Sequence, residues 1–334
     1  MAAAAVVAAA LLFTAGRLEA QRDRAAIELD TALAHSRALG RAAARAGAST
    51  VSIRTFGRPA PAKDQPPRDE DGYGAGVIVR TDGLVLTALH VVDGAAAILV
   101  TLPDGSEHTA LVHAKDEWAD LAVIRLLTPE LRLPVAELGP DESVRVGETV
   151  LAVGNPFGLR NTVTRGVLSA RGRTGVVDGN RTALLQTDAA VNPGSSGGPL
   201  VDLKGRVIGL ITAILTRTGG HEGVAFAVPA EEIYYCLPTM LRGERVRRGW
   251  LGVRVHKRAL RTGGLRIVSV VPKGPAAQAG LRMDDVVLEI EGSPLRTMAD
   301  MRRLVRSAKD GQELLLRVQR GDERKLFRVA ARQK

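Results

Sequence analysis

The sequence predicts a mostly β protein: an all-β unit of barrel or sandwich type followed by a small α+β unit. Three observations carry this prediction. Short β-prone runs separated by Gly, Pro, Asn and Asp fill residues 51–228. Strand and helix patterns then mix over the last stretch, about 85 residues, enough for one small domain. The length of 334 residues suits two domains, at about 100–200 residues per domain.

The elements follow in order. Residues 2–16 are uncharged and mostly apolar. As a helix they rise only about 22 Å, short of the roughly 30 Å bilayer core. That suits the apolar part of a signal peptide, or, if the start lies upstream, part of a longer anchor. No Lys or Arg precedes the run, while the small residues Thr14, Ala15, Gly16 and Ala20 make cleavage conceivable. Residues 1–20 are therefore expected to be a signal peptide or membrane anchor. Both place the chain in the periplasm or cell envelope, secreted or anchored. Residues 21–48 are expected to form a helical stalk, about 38 Å long if continuous over 21–45.

Strands are predicted at 51–56, 76–80, 84–88, 97–102, 121–126 and 149–153 in the first half of the β unit. More are predicted at 163–169, 183–187, 199–201, 207–213 and 224–228. Residues 57–72 carry four prolines and should form a mobile loop. A closing helix is predicted at 230–242, then a short linker. The second unit, 246–334, should hold strands at 251–255, 265–271, 286–291, 313–319 and 325–330. Its helices are predicted at 275–279 and 297–307.

Charge and cysteine usage exclude several classes. The net charge of +10 is not spread evenly. Residues 241–334 carry 23 basic and 10 acidic side chains, a balance of +13, whereas residues 51–240 carry 17 and 22. The C-terminal unit should therefore attract acidic partners. Nucleic acid is not expected, because that unit has only Trp250 and Phe327 as aromatics and no recognisable binding motif. The one cysteine, Cys236, rules out an internal disulfide and reads as a buried helix residue. The six histidines are scattered, His108 and His113 included. No metal site and no organic cofactor are expected. The absence of a phosphate-cradling Gly-Lys-Ser/Thr loop argues against an ATPase.

The strongest local signal is Asn192-Pro193-Gly194-Ser195-Ser196-Gly197-Gly198-Pro199-Leu200. A nucleophilic serine needs a turn that exposes its Oγ and aims backbone N–H groups at a developing oxyanion. Glycines on both sides permit that turn. A base and an orienting carboxylate complete a triad. Thr87-Ala88-Leu89-His90-Val91-Val92 puts His90 at the end of an apolar strand, and Asp120-Leu121-Ala122-Val123 puts Asp120 at the start of another. The chain order is His, Asp, Ser, one of several convergent orders. The spacings suit one barrel giving His and Asp and a second giving Ser.

On these motifs the chain resembles the HtrA/Deg serine proteases, chymotrypsin-like barrels followed by PDZ domains. Further matching segments are Gly154-Asn155-Pro156-Phe157-Gly158, Gln186-Thr187-Asp188-Ala189-Ala190 and Phe226-Ala227-Val228-Pro229. Gly249-Trp250-Leu251-Gly252-Val253 and Gly274-Pro275-Ala276-Ala277-Gln278-Ala279-Gly280-Leu281 look like PDZ signatures. The resemblance implies a chymotrypsin-like double β-barrel over 49–242 and one α+β PDZ domain over 246–334. It implies Ser196 as nucleophile, His90 as general base and acid, and Asp120 as orienter. The backbone N–H groups of Gly194 and Ser196 would form the oxyanion hole.

In that arrangement the residue six before the nucleophile lies at the base of the S1 pocket. Here it is Ala190, and the wall strand holds Val224 and Ala225, so small or medium aliphatic P1 residues are expected. Ala225 stands where the family more usually has Gly, Ser195 where it has Asn. Asp284-Asp285 stands where it tends to have Gly-Asp, which calls for a left-handed Asp. Trp250, Leu251, Gly252 and Val253 match the peptide-binding loop, and Arg173 the arginine that relays PDZ occupancy to the protease. The implied partners are unfolded or partly folded proteins, C-terminal peptides and two further copies in a homotrimer packed near Phe56. The expected activity is ATP-independent cleavage of misfolded or regulatory envelope proteins. The competing reading is a PDZ-based chaperone or binding protein with proteolysis secondary.

Overall fold

The computed structural model describes residues 2–57, 72–128, 132–140, 143–155, 162–177, 179–215, 222–256, 259–260 and 263–333. Most of the expected 57–72 loop and positions 156–158 of the Gly154–Gly158 motif lie outside the described residues. The chain divides into two units, Met1–Glu244 and Arg245–Lys334.

The first unit opens with α1 (Ala2–Gly47), one unbroken helix. The expected stalk is thus the second half of an element about 69 Å long. Its end is docked rather than free. Ala42 and Ala46 are buried, and their small side chains let the helix approach the barrel closely. Arg45 pairs with Glu137 and donates to the Lys204 carbonyl at 3.3 Å. It sits in the last turn, where the helix dipole favours a cation. Among the described residues no helix is long and apolar enough to cross a membrane.

Two closed barrels follow. The first comprises β1 (Thr50–Phe56), β2 (Gly72–Arg80), β3 (Leu84–Ala88), the one-turn α2 (Leu89–Val92), β4 (Ala97–Thr101), β5 (Glu107–Asp116) and β6 (Leu121–Leu126). Its strand order is β1-β2-β3-β6-β5-β4, and β1 pairs β4 to close it. The β3–β6 register sets Ala88 opposite Leu121, which brings the end of β3 beside Asp120. The second barrel comprises β7 (Thr149–Gly154), β8 (Thr162–Arg173), β9 (Leu184–Thr187), β10 (Pro199–Val201), β11 (Val207–Ile214) and β12 (Ala225–Pro229). Its order is β10-β11-β12-β9-β8-β7, closed by β7–β10. Ile53, Ile78 and Ile124 fill the first interior, and Leu168, Leu200 and Ile208 the second. Each such side chain contributes about 1.5–3 kcal/mol on burial. The closing helix α3 runs Ala230–Met240, two residues shorter than expected.

One barrel strand was not expected. The ten residues of β5 offer the interior only Ala110, Ala114 and Asp116, while Leu111 and Val112 are exposed. Its apolar alternation is therefore too faint to read. It nonetheless closes the first barrel by pairing both β4 and β6.

The second unit holds β13 (Gly249–Trp250), β14 (Val253–Val255), β15 (Leu265–Val270), α4 (Pro275–Gln278), β16 (Val286–Ile290), β17 (Ser293–Pro294), α5 (Met298–Arg306), β18 (Glu313–Arg320), β19 (Glu323–Ala330) and β20 (Arg332–Gln333). The main sheet runs β14-β15-β16-β18-β19, with β14 outermost; β17 pairs β16 and β13 pairs β20. A capping box starts α5: Thr297 accepts from the Asp300 N–H, and Asp300 accepts from the Thr297 N–H. Asp284 takes φ +69°, the left-handed turn that its place beside Asp285 requires.

Asp285 anchors this unit. Its side chain is almost fully buried and accepts from Arg320 Nε at 2.7 Å and Nη2 at 2.8 Å. It also accepts from the Arg282 N–H at 2.8 Å. Arg320 donates further to the Gly280 carbonyl and lies over the Phe327 ring. Burial pushes the Asp285 carboxyl up, but the Arg320 and Arg282 hydrogen bonds outweigh it and hold the carboxyl below its ordinary value. A depressed carboxyl stabilises fully above the ordinary carboxylate range and loses that contribution as pH falls through the folded value. Arg320→Ala should therefore destabilise this unit by roughly 3 kcal/mol at neutral pH. The deficit against wild type should narrow on acidification, as followed by thermal unfolding of the full chain at pH 7 and pH 3.

Candidate active site

His90 is presented by α2. Its neighbours Leu89, Val91 and Val92 are buried and fix the turn, while the imidazole stays half exposed. Asp120 holds this turn at three points. Its Oδ1 accepts from the His90 N–H at 3.0 Å, its Oδ2 lies 2.7 Å from His90 Nδ1, and its carbonyl accepts from the Leu89 N–H at 3.0 Å. A carboxylate against Nδ1 places the proton there and leaves Nε2 as the basic nitrogen. Asp120 has φ +55°, a left-handed geometry that a non-glycine residue keeps only when its surroundings over-determine it. One of those surroundings is a residue that the motifs did not single out. The Thr212 hydroxyl, on β11, donates to the same Asp120 Oδ2. Thr212 is 3% exposed, and its carbonyl lies 3.5 Å from Ser196 Oγ. A Thr inside a β-prone run gives no local sign of this role.

The turn that carries Ser196 is built on β8 and β9. Thr187 Oγ1 donates to the Val167 carbonyl at 2.8 Å, and Asp188 Oδ1 accepts from the Val167 N–H at 2.6 Å. The turn then closes on itself: the Ser195 N–H bonds the Asn192 carbonyl at 2.9 Å, and the Gly198 N–H the Ser195 carbonyl at 3.0 Å. The Gly197 N–H reaches the Ile211 carbonyl at 2.7 Å, and the Ser196 carbonyl accepts from the Ala75 N–H of β2 at 2.8 Å. Gly197 has φ +84°, and a Cβ there would stand 2.2 Å from the Ala75 oxygen. Gly194 has φ +98°. Among the described residues no hydrogen bond takes up the N–H of Gly194 or Ser196.

His90, Gly194 and Ser196 line one cleft of about 340 Å³, together with Tyr73, Val91, Val191, Ala213 and Ile214. The three positions expected at S1 do not line it. Ala225 is fully buried in the core of barrel 2, Ala190 is exposed with its carbonyl bonded to Thr164, and Val224 is half-buried beside β12. The apolar lining comes instead from Val191, Ala213 and Ile214.

Comparison with known proteins places this cleft in a family. Residues 74–210 match the trypsin-like peptidase domain and residues 249–330 the PDZ domain. The chain is 37% identical to the putative serine protease HhoA of Synechocystis sp. over 80% of its own length and 72% of HhoA. The chain belongs to the HtrA family of serine proteases. It is also 39% identical to a probable periplasmic serine endoprotease, DegP-like, of Pseudomonas putida over 77% of its length. It spans 55% of that relative, little more than half. Among solved structures it is similar to the HtrA-type protease AlgW with decapeptide, at TM-score 0.73 and 32% identity, covering 89% of this chain and 98% of that one.

Other positions singled out by the HtrA resemblance have definite places. Arg173, at the end of β8, donates from Nε to Gln186 Oε1 at 2.8 Å, on the strand that leads into the nucleophile turn. Leu251 is 2% exposed and belongs to the core of the second unit; its carbonyl accepts from the Ala276 N–H, and that of Gly252 from the Val271 N–H. Gly252 has φ +78°, Trp250 lies in β13, and Val253 opens the outermost strand β14. Phe56 ends β1 and is half-buried. Cys236 is buried in α3 as expected, but it has acidic neighbours that the sequence did not reveal. Its Sγ lies 3.3 Å from Asp116 Oδ2 and 3.6 Å from Glu232 Oε1, both buried.

Thr212→Val keeps the shape and removes the hydroxyl bonded to Asp120. Hydrogen bonds to charged groups contribute about 1.5–3 kcal/mol, so kcat should fall roughly 10- to 100-fold with KM little changed. Thr212→Ser should restore most of it. Steady-state kinetics on a peptide substrate measures both.

Proposed function

We propose that this chain is an ATP-independent serine endopeptidase of the periplasm or cell envelope, acting on misfolded or regulatory proteins and controlled by its PDZ domain. The observation that carries this reading is the Asp120–His90 pair, held at 2.7 Å in the same cleft as Ser196. Ser196 Oγ attacks the scissile carbonyl while His90 Nε2 takes its proton. His90 then returns that proton to the leaving amine, and Asp120 keeps the imidazole oriented and stabilises the imidazolium. The Gly194 and Ser196 N–H groups receive the oxyanion, since the Ser195, Gly197 and Gly198 N–H groups are already bonded within the fold. The acyl-enzyme is released by water through the same steps.

The apolar lining of Val191, Ala213 and Ile214 suits a small or medium aliphatic P1 such as Val, Ala or Ile. A methylene misfit is worth only about 1–3 kcal/mol, so the preference is soft. Relatives named periplasmic support the location, and AlgW, solved with a decapeptide, supports peptide binding. An extended peptide would add to an open strand edge of the PDZ domain, with its terminal carboxylate accepting from backbone N–H groups. Arg173 relays that occupancy to the nucleophile turn through Gln186. Assembly as a homotrimer near Phe56 completes the reading. Light scattering that gives a monomer mass at micromolar concentration would contradict it.

Ser196→Ala and His90→Ala should abolish casein cleavage with the fold intact by circular dichroism. Asp120→Asn should cost on the order of 10⁴ in kcat, the loss known for the corresponding change in the trypsin triad. Near wild-type cleavage by Ser196→Ala would defeat the proposal. A wild-type protein that binds unfolded substrate without turnover would favour the chaperone reading instead.

The +13 balance of residues 241–334 adds a regulatory expectation. Hydrophobic C-terminal peptides with upstream Asp or Glu should activate cleavage more than basic ones. The difference should shrink with salt, as exposed charges are screened beyond about 10 Å at 0.1 M. Arg173→Ala should lower activation while peptide affinity holds. Peptide titrations of cleavage rate at two salt concentrations test both.

A further inference from the structure

The turn that carries Asp120 is gripped from the other barrel. The β8–β9 connection reaches across to residues 118–120 of barrel 1. Asn180 in that connection is 6% exposed. Its Nδ2–H donates to the Ala119 carbonyl at 3.1 Å. Its Oδ1 accepts from the Thr182 N–H at 2.9 Å and the Thr182 hydroxyl at 2.7 Å, which fixes the sense of the amide. The next residue repeats the grip. The Arg181 N–H donates to the Trp118 carbonyl at 2.9 Å, and its guanidinium lies 5.2 Å from the Trp118 ring centre. Two consecutive residues of barrel 2 thus hold the two consecutive carbonyls just before Asp120.

Asp120 needs such holding. Its φ of +55° is a conformation that relaxes unless neighbouring contacts fix it. Its own side chain bonds His90 and Thr212, but those contacts act after the Cα. The bonds at Trp118 and Ala119 act on the backbone before it. The geometry points to Asn180 as a positioning residue for Asp120: its amide clamps the left-handed turn, and so the β8–β9 connection sets how the carboxylate meets His90. The connection begins beside Arg173, so a shift in it reaches the acid as well as the nucleophile turn. This inference rests on the protease reading, and its test separates the two.

The experiment uses the full chain and an internally cleaved peptide. Wild type must cleave and Ser196→Ala must not; otherwise the protease reading fails, and this inference with it. Given that result, Asn180→Ala should lower kcat about tenfold, the scale of one lost hydrogen bond, with KM nearly unchanged. It should also move or broaden the downfield proton resonance of the His90 Nδ1–H. Asn180→Asp keeps an oxygen for Thr182 but offers no N–H to Ala119 when ionised. It should match Asn180→Ala, which distinguishes the clamp from a local cap of the loop. Arg181→Ala alters an exposed side chain without touching the core and should lower kcat about two- to threefold through the lost stacking. A folded Asn180→Asp with wild-type kcat overturns the inference. So does a loss of kcat that leaves the resonance in place. If neither Asn180 variant folds, wild-type kcat in Arg181→Ala overturns it.

Discussion

One backbone hydrogen bond carries the Ser196 turn across to the other barrel, from the Ala75 N–H of β2 to the Ser196 carbonyl, while the Gly197 N–H to the Ile211 carbonyl ties the turn to its own barrel. The cleft depends on them. The first requires the two barrels to meet backbone to backbone, and a Cβ at Gly197 would drive them apart. The position of Ser196 against barrel 1 is then set through main chain and closed barrel walls, and the buried side chains of Thr212 and Asn180 hold the turn of Asp120 from the same side. That matters because misplacement by about 1 Å can cost 10²-fold in rate.

The two units manage their sheet edges in opposite ways. In the first, both six-stranded sheets close, so no long row of unpaired backbone groups is left for another chain. In the second, β14 and β19 remain the outer strands of an open sheet. Closed walls surround the cleft, and open edges are confined to the second unit. The buried Asp285–Arg320 pair ties the residue before β16 to the end of β18 within that sheet.

Much of this architecture is legible in the sequence because its signals are local. Most strands of both barrels begin and end within two or three residues of where turn residues and β-prone runs place them. Asp120, His90 and Ser196 are legible as well, since each sits at an element boundary inside a distinctive segment. What stays hidden is what only tertiary contact creates. β5 hides because its inward side chains are two alanines and an aspartate. Thr212 hides because a threonine in a strand is ordinary until it meets a carboxylate 92 positions away. Ala190 and Ala225 are expected at S1 from the resemblance alone. The side chain of Ala225 packs into the barrel 2 core, and the cleft takes its lining from Ala213 and Ile214. The neighbours of Cys236 come from β5 and from one turn earlier in α3, and only the fold brings them together.

The proposed triad is divided between two barrels made in sequence, and this has a consequence for the life of the chain before it is finished. On a ribosome, the base and its carboxylate emerge well before Ser196, and residue 211, which fixes the nucleophile turn, emerges later still. A barrel folded alone holds a histidine and an acid with nothing to activate, and a nascent second barrel holds a serine without its base. Domains generally fold as units as they emerge, so hydrolysis starts only once both barrels are complete and joined. Delayed activation of this kind needs no segment to be cut away.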